Sequence, residues 1–256
     1  MTATAWTGRR VVDGGVVERS FVLTRPSGTV PGALWSPPSY RAAPGLVLLG
    51  HGGSQHKTSG RIVGLARWFA RHGLAALAID GPYHGDRVPR PMAAAEYQPR
   101  IAEEGIEPVL DRMTGDWHAT IDALAALGIV DADRLAYLGL SMATRFGLPL
   151  AAALNDRLHA VVLGKFGLRQ APAIPAGLDA PARVAADARR VTAPTLLHVQ
   201  WDDELFPRDG QLALFDALGA PDKRLIAYPG PHAATAPAAI AQWRDFITRR
   251  LARPRA

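Results

Sequence analysis

Leu135-Ala136-Tyr137-Leu138-Gly139-Leu140-Ser141-Met142-Ala143-Thr144-Arg145-Phe146 is the stretch whose reading decides the fold. Residues 135–140 are a short apolar run, the pattern of a strand buried on both faces. Residues 142–154 have helical composition, so Ser141 stands at a strand-to-helix junction. So tight a turn strains the serine backbone and crowds its neighbours, and small residues at the second position on either side relieve the crowding. Gly139 and Ala143 stand there. Glycine is usual at the second of these positions, so the Ala143 methyl is expected to shift helix–strand packing slightly without abolishing the turn. Pro149 lacks a backbone donor and is expected to kink or shorten the helix. A serine at such a junction can also be a plain helix N-cap, so its partners must decide its role.

Outward from this junction the chain alternates. Apolar runs at Gly45–Gly50, 74–79, 160–163, Thr195–Gln200 and 224–228 read as further buried strands. Helical spacing links them: Ile62, Leu65, Ala66 and Phe69; then Trp117, Ile121, Leu124 and Gly128, with Thr114 as N-cap; finally Ile240, Trp243, Ile247 and Leu251. Strands alternating with helices predict an α/β fold, a mostly parallel central sheet with helices on both faces. Residues 16–24 and 30–35 predict an N-terminal antiparallel strand pair, with turns at Gly14-Gly15 and 26–28. Residues 86–113 and 167–190, rich in proline, break the rhythm and read as irregular connections of the kind that form lids. The 256 residues suit a single domain, 1–256, and hold no repeat or linker that marks a boundary.

Composition narrows the chemistry. At 48% hydrophobic and 20% charged, the chain is of globular type. With no cysteine, disulfides, cysteine-based zinc sites and a cysteine nucleophile are excluded. No apolar stretch reaches the roughly 18 residues of a membrane span, and the first residues lack a signal-peptide pattern, so a cytoplasmic protein is expected. The net charge of +6 is concentrated partly in Arg249, Arg250, Arg253 and Arg255. No aromatic residues interleave them as nucleic-acid binding would require, so a solvated helix end is the better reading. Neither a nucleic-acid nor a membrane partner is expected.

A serine hydroxyl becomes a good nucleophile only when a histidine takes its proton and a carboxylate fixes that histidine's tautomer. At a serine elbow of this kind the chain order is Ser, acid, His. Of the later histidines, His159 and His198 fall at or inside strands, whereas His232 lies in the loop between the last strand and the last helix. The loop after Thr195–Gln200, Trp201-Asp202-Asp203-Glu204-Leu205-Phe206-Pro207, supplies the acid, with Asp202 and Asp203 both available. Two backbone N–H groups are needed for the oxyanion. One is that of Met142; the other comes from His51-Gly52-Gly53-Ser54, with Gly53 preferred and Gly52 the alternative. His51 braces this loop, and His84, in Asp80-Gly81-Pro82-Tyr83-His84-Gly85-Asp86, is structural; no metal is expected.

On these motifs, which run from about residue 45 to the final helix, the sequence resembles the alpha/beta-hydrolase superfamily, particularly bacterial serine esterases similar to dienelactone hydrolases. The resemblance implies hydrolysis of a small-molecule carboxylic ester, thioester or lactone through an acyl-enzyme, with no cofactor. It implies Ser141, Asp203 and His232 as the triad, since Asp203-x-x-Phe206-Pro207 matches the superfamily's acid motif; Asp202 is the fallback. Dienelactone hydrolases proper use a cysteine nucleophile, which this chain lacks. Trp117, Phe166 and Phe206 are candidate pocket walls. An acyltransferase or small peptidase with the same triad, a non-catalytic ligand-binding protein on this fold, and a homodimer all stay open.

Overall fold

The computed structural model describes residues 3–12, 15–40 and 42–252. The expected turn residue Gly14, and Arg253 and Arg255, lie outside them. Nine strands form one sheet: β1 (Ala3–Val11), β2 (Val17–Arg25), β3 (Gly28–Ser36), β4 (Gly45–Gly50), β5 (Ala75–Ile79), β6 (Asp131–Gly139), β7 (Leu158–Gly164), β8 (Thr195–Gln200) and β9 (Lys223–Tyr228). Their spatial order is β1-β2-β3-β5-β4-β6-β7-β8-β9. Pairings from β5 through β4 to β9 are parallel, and those among β1, β2, β3 and β5 are antiparallel. The expected N-terminal pair is β2 and β3. β1 lies outside it, an exposed edge strand whose residues show no apolar alternation, so the sequence pattern passed over it.

Helices cover both faces. α1 (Gly60–Arg71) and α7 (Pro237–Leu251) pack Ile62, Phe69, Trp243 and Ile247 against one face, onto Val47, Leu49, Ala136 and Leu138. The other face, with Leu46, Leu48, Leu135 and Tyr137, carries α2 (Ala94–Glu104), α3 (Ile106–Ala126), α4 (Met142–Leu154), α5 (Pro181–Arg190) and α6 (Arg208–Ala217). Successive residues of one strand thus bury on opposite sides, as the pleat requires. No helix among the described residues is long and apolar enough to cross a membrane.

The proline-rich stretches are more ordered than their composition predicts. Residues 94–104 and 106–126 are helical, as are 181–190. Pro108 and Pro181 sit in the first turn of their helices, where the amide they lack has no intrahelical acceptor in any case. Glu96 accepts from the Ala93 amide at 2.9 Å and so caps α2. Thr114, expected as an N-cap, is instead mid-helix in α3, and its hydroxyl donates to the Leu110 carbonyl one turn back. Gly128, expected on the helical face, follows the helix end with φ +68°. α4 continues through Pro149 over 13 residues, so the proline does not shorten it.

Candidate functional site

Ser141 has φ 60° and ψ −124°, a left-handed conformation that L-residues rarely adopt. Local packing imposes it. The Ser141 amide donates to the Gly164 carbonyl at 2.8 Å, and the buried Thr144 hydroxyl lies 2.8 Å from the carbonyls of Gly139 and Gly164. Tyr137 fills the space beneath: its hydroxyl donates to the Ala143 carbonyl at 2.6 Å, and burial raises its pKa. A Cβ on Gly139 would meet the Tyr137 hydroxyl at 2.5 Å, and one on Gly50 would meet the Ala143 methyl at 2.6 Å. The methyl at 143 is therefore accommodated by the bare backbone of Gly50 on the neighbouring strand.

The three residues read from the sequence as Ser, acid and His come together in one row. Ser141 Oγ is 2.8 Å from His232 Nε2, and His232 Nδ1 is 2.8 Å from Asp203 Oδ2. The Asp203 side chain is fully buried, and its other oxygen accepts the amides of Leu205 and Phe206, each at 2.9 Å. The neighbouring carboxylates do different work. Asp202 accepts the Gly230 amide and Glu204 the His232 amide, both at 2.8 Å. Three consecutive acids thus each hold a separate part of the two loops.

Further groups that the sequence did not single out fix the His232 loop. Lys165, left-handed at φ 48° and almost wholly buried, donates to the His232 carbonyl at 3.0 Å, the Thr235 hydroxyl at 2.9 Å and the Ala234 carbonyl. Burial lowers its pKa to about 8, helped by Arg61 and opposed by Asp203 and Glu204. Gln200 donates to the carbonyls of Pro229 and Gly230 at 2.9 and 2.8 Å. Gln211, wholly buried in α6, ties β8 to the acid loop by donating to Gln200 and Phe206 carbonyls. Such contacts leave no trace in local sequence, because each joins residues from separate elements.

The Gly-rich loop lies across the serine. Gly53, Ser54 and Met142 line the same cavity as Ser141, and the amides of Gly53 and Met142 have no acceptor among the described residues. His51 Nδ1 is 2.9 Å from the Gly52 carbonyl, and His51 Nε2 accepts the Gly81 amide at 2.8 Å. This pattern selects the neutral Nδ1–H tautomer. Burial agrees with it, lowering the His51 pKa to about 4. His51 therefore orients the Gly52–Gly53 peptide, whose N–H is that of Gly53. His84 sits 2.7 Å from the Pro82 carbonyl and 2.8 Å from that of Gly53, bracing the loop from its other end. Tyr97, from α2, packs its hydroxyl so closely that a Cβ on Gly53 would meet it at 2.3 Å.

The cavity above Ser141 has a volume of about 310 Å³. Met92, Tyr97 and Ile101 from the first proline-rich stretch, and Ile174 and Leu178 from the second, form its walls with Met142, Phe146 and Leu205. Of the three aromatic residues expected as pocket walls, only Phe206 lines this cavity. Phe166 stands behind it, with ring centroids 4.8 Å apart, and Trp117 is core, edge-on to Tyr137. His159 is distant from the row, its Nε2 3.2 Å from the Asp133 carbonyl. His198 is fully buried within β8, facing Gln200 at 3.2 Å through Nε2 and no hydrogen-bond partner through Nδ1; burial lowers its pKa to about 4. Among the described residues no cluster of three His, Cys, Asp or Glu is arranged to hold a metal.

No protein-family model and no curated protein sequence matches the chain. Solved structures do. A cold-adapted esterase from an Arctic intertidal metagenomic library is 33% identical, with a TM-score of 0.82 over 96% of this chain and 99% of that one. The acetyl xylan esterase of Paenibacillus sp. R4 shares the fold at 18% identity and TM-score 0.72, over 97% and 88% of the two chains. A protein of Klebsiella pneumoniae assigned as a dienelactone hydrolase does so at 17% and 0.71, over 93% and 99%.

Proposed function

The chain belongs to the alpha/beta-hydrolase family, with a fold of the dienelactone-hydrolase type, and is an ester-hydrolysing enzyme; from that premise we propose that it cleaves small carboxylic esters through a Ser141–His232–Asp203 triad and an acyl-enzyme. The observation that carries the reading is the continuous row from Ser141 Oγ through both nitrogens of His232 to Asp203, with 2.8 Å at each step, at the floor of a cavity.

In this mechanism His232 Nε2 takes the Ser141 proton as Oγ attacks the acyl carbon. Asp203 steadies the resulting imidazolium without itself being protonated. Negative charge on the carbonyl oxygen is met by the amides of Gly53 and Met142, the latter at the positive end of α4. The intermediate collapses as His232 passes its proton to the leaving alcohol. Water, deprotonated by the same nitrogen, then releases the acid and restores Ser141. Helix α2 and the 167–190 segment act as a small cap on a single domain, their apolar side chains drying the site and strengthening every electrostatic interaction in it.

Labelling with a fluorophosphonate, located by mass spectrometry, tests the nucleophile. The probe is expected on Ser141, and Ser141→Ala is expected to lose both the label and turnover of p-nitrophenyl esters. Turnover retained by folded Ser141→Ala would refute the triad.

A further inference from the structure

Arg145 is a cation buried without a counter-ion. Its side chain, one helical turn beyond Ser141 in α4, is 6% exposed and lines the cavity above the serine. Its Nη2 donates to Gln170 Oε1 at 2.9 Å, and its Cζ lies 5.3 Å from the centre of the Phe166 ring. Both partners are neutral. Among the described residues it forms no ion pair; no Asp or Glu lines the cavity above Ser141, and Asp179 lines the adjoining pocket without pairing with it. Burial lowers its pKa to about 10, and Tyr97 and the non-contacting Asp179 oppose that only from a distance.

Stability alone does not explain a cation here. Burying an unpaired charge is unfavourable, and the first turn of a helix is the end where the dipole repels positive charge. The surrounding walls, including Ile101, Phe146, Ile174 and Leu178, are apolar. Four residues along a helix advance about 6 Å, and Arg145 lines both the cavity above Ser141 and the adjoining pocket that holds its partners Gln170 and Phe166. His232, which protonates the leaving alcohol, is partly exposed to solvent, whereas Arg145 is buried. The buried end therefore receives the group that stays on the enzyme.

We propose that Arg145 reads an anion at the end of the acyl group, so that the preferred substrates are half-esters of short dicarboxylic acids. The proposal rests on Ser141 being the acylated residue. A carboxylate would supply the missing counter-charge, and an arginine fork suits two parallel hydrogen bonds to it.

The test compares p-nitrophenyl hydrogen glutarate with p-nitrophenyl valerate, which has the same acyl length and leaving group but no carboxylate. The background-corrected ratio of kcat/KM, half-ester over neutral ester, is measured within each variant, so a general loss of folding or catalytic power cancels. A ratio of roughly 10 to 100 is expected for the wild type, the range of a charge-assisted hydrogen bond. Arg145→Met is expected to bring it to one or below, and Arg145→Lys to retain part of it. A wild-type ratio of one or less, or a ratio that survives Arg145→Met, overturns the proposal. Glutarate itself is expected to raise the Tm of the wild type but not of Arg145→Met, independently of turnover; equal or absent shifts overturn it as well. Failure of the Ser141 reading shows separately, as no turnover of either ester while the glutarate shift persists.

Discussion

Asp203→Asn isolates the geometry of the acid. Asp203 Oδ1 accepts two backbone amides at 2.9 Å, and an asparagine oxygen can do the same. That fixes the side chain with its new NH2 group at the Oδ2 position, 2.8 Å from His232 Nδ1. An amide NH2 donates and cannot accept. His232 must therefore turn Nδ1 into an acceptor, and its proton moves to Nε2, which faces Ser141. In that tautomer the imidazole has no lone pair for the serine proton. Loss of this orientation in a serine triad corresponds to about 10⁴ in rate, or about 5.5 kcal/mol of activation free energy. Asp202 accepts only the Gly230 amide, from the exposed side of the loop, and an asparagine keeps that bond. Asp202→Asn is thus expected within about threefold of wild type. The assay is kcat/KM on a p-nitrophenyl ester at neutral pH, with circular dichroism and thermal melting to show that both variants fold. Rates for the two variants within tenfold of each other would sink the assignment of Asp203 and the tautomer argument with it.

Three further outcomes follow from the site. Lys165 is charged below about pH 8 and neutral above it, so the loss of one donor to the 232–235 loop should give kcat an alkaline limb near that pH; Lys165→Met should have lower kcat throughout and lack the limb. His198 is neutral in the native state down to about pH 4, below the 6.5 of an ordinary imidazole. The unfolded chain binds its proton first, so stability present above pH 6.5 is lost as pH falls towards about 4, by roughly 3 kcal/mol; Tm against pH should flatten over that window in His198→Gln, and an unchanged profile would refute the attribution. A Cβ at residue 53 would meet the Tyr97 hydroxyl at 2.3 Å but its ring carbon only at 3.5 Å. Gly53→Ala is accordingly expected to lower kcat by about 10² through a displaced oxyanion donor, and adding Tyr97→Phe should recover part of it; no recovery would place the damage elsewhere.

The alternation of apolar runs and helical stripes was legible in the chain because a buried parallel strand must be apolar throughout and an amphipathic helix must repeat every 3.6 residues. The Ser141 junction was legible for a similar reason, since only small neighbours tolerate so sharp a turn. Prolines misled where they began helices rather than broke them: Pro108 and Pro181 occupy first-turn positions, and the stretches containing them are helical walls instead of irregular loops. β1 carried no signal, because an edge strand exposed to solvent needs no apolar face.

Sequence by itself therefore determined the α/β layering, the serine at its junction, and a short list of candidate partners in chain order. Tertiary structure decided among those partners. Asp202, Asp203 and Glu204 are chemically near-equivalent in the chain, and only the path of the loop aims one at the imidazole and the others at backbone amides. It also gave Arg145 its environment, since a cation one turn past a serine is unremarkable until the fold buries it without an ion pair. The division has one physical cause. Periodicity and turn chemistry act between near neighbours, whereas hydrogen-bond direction and desolvation depend on residues that only folding brings together.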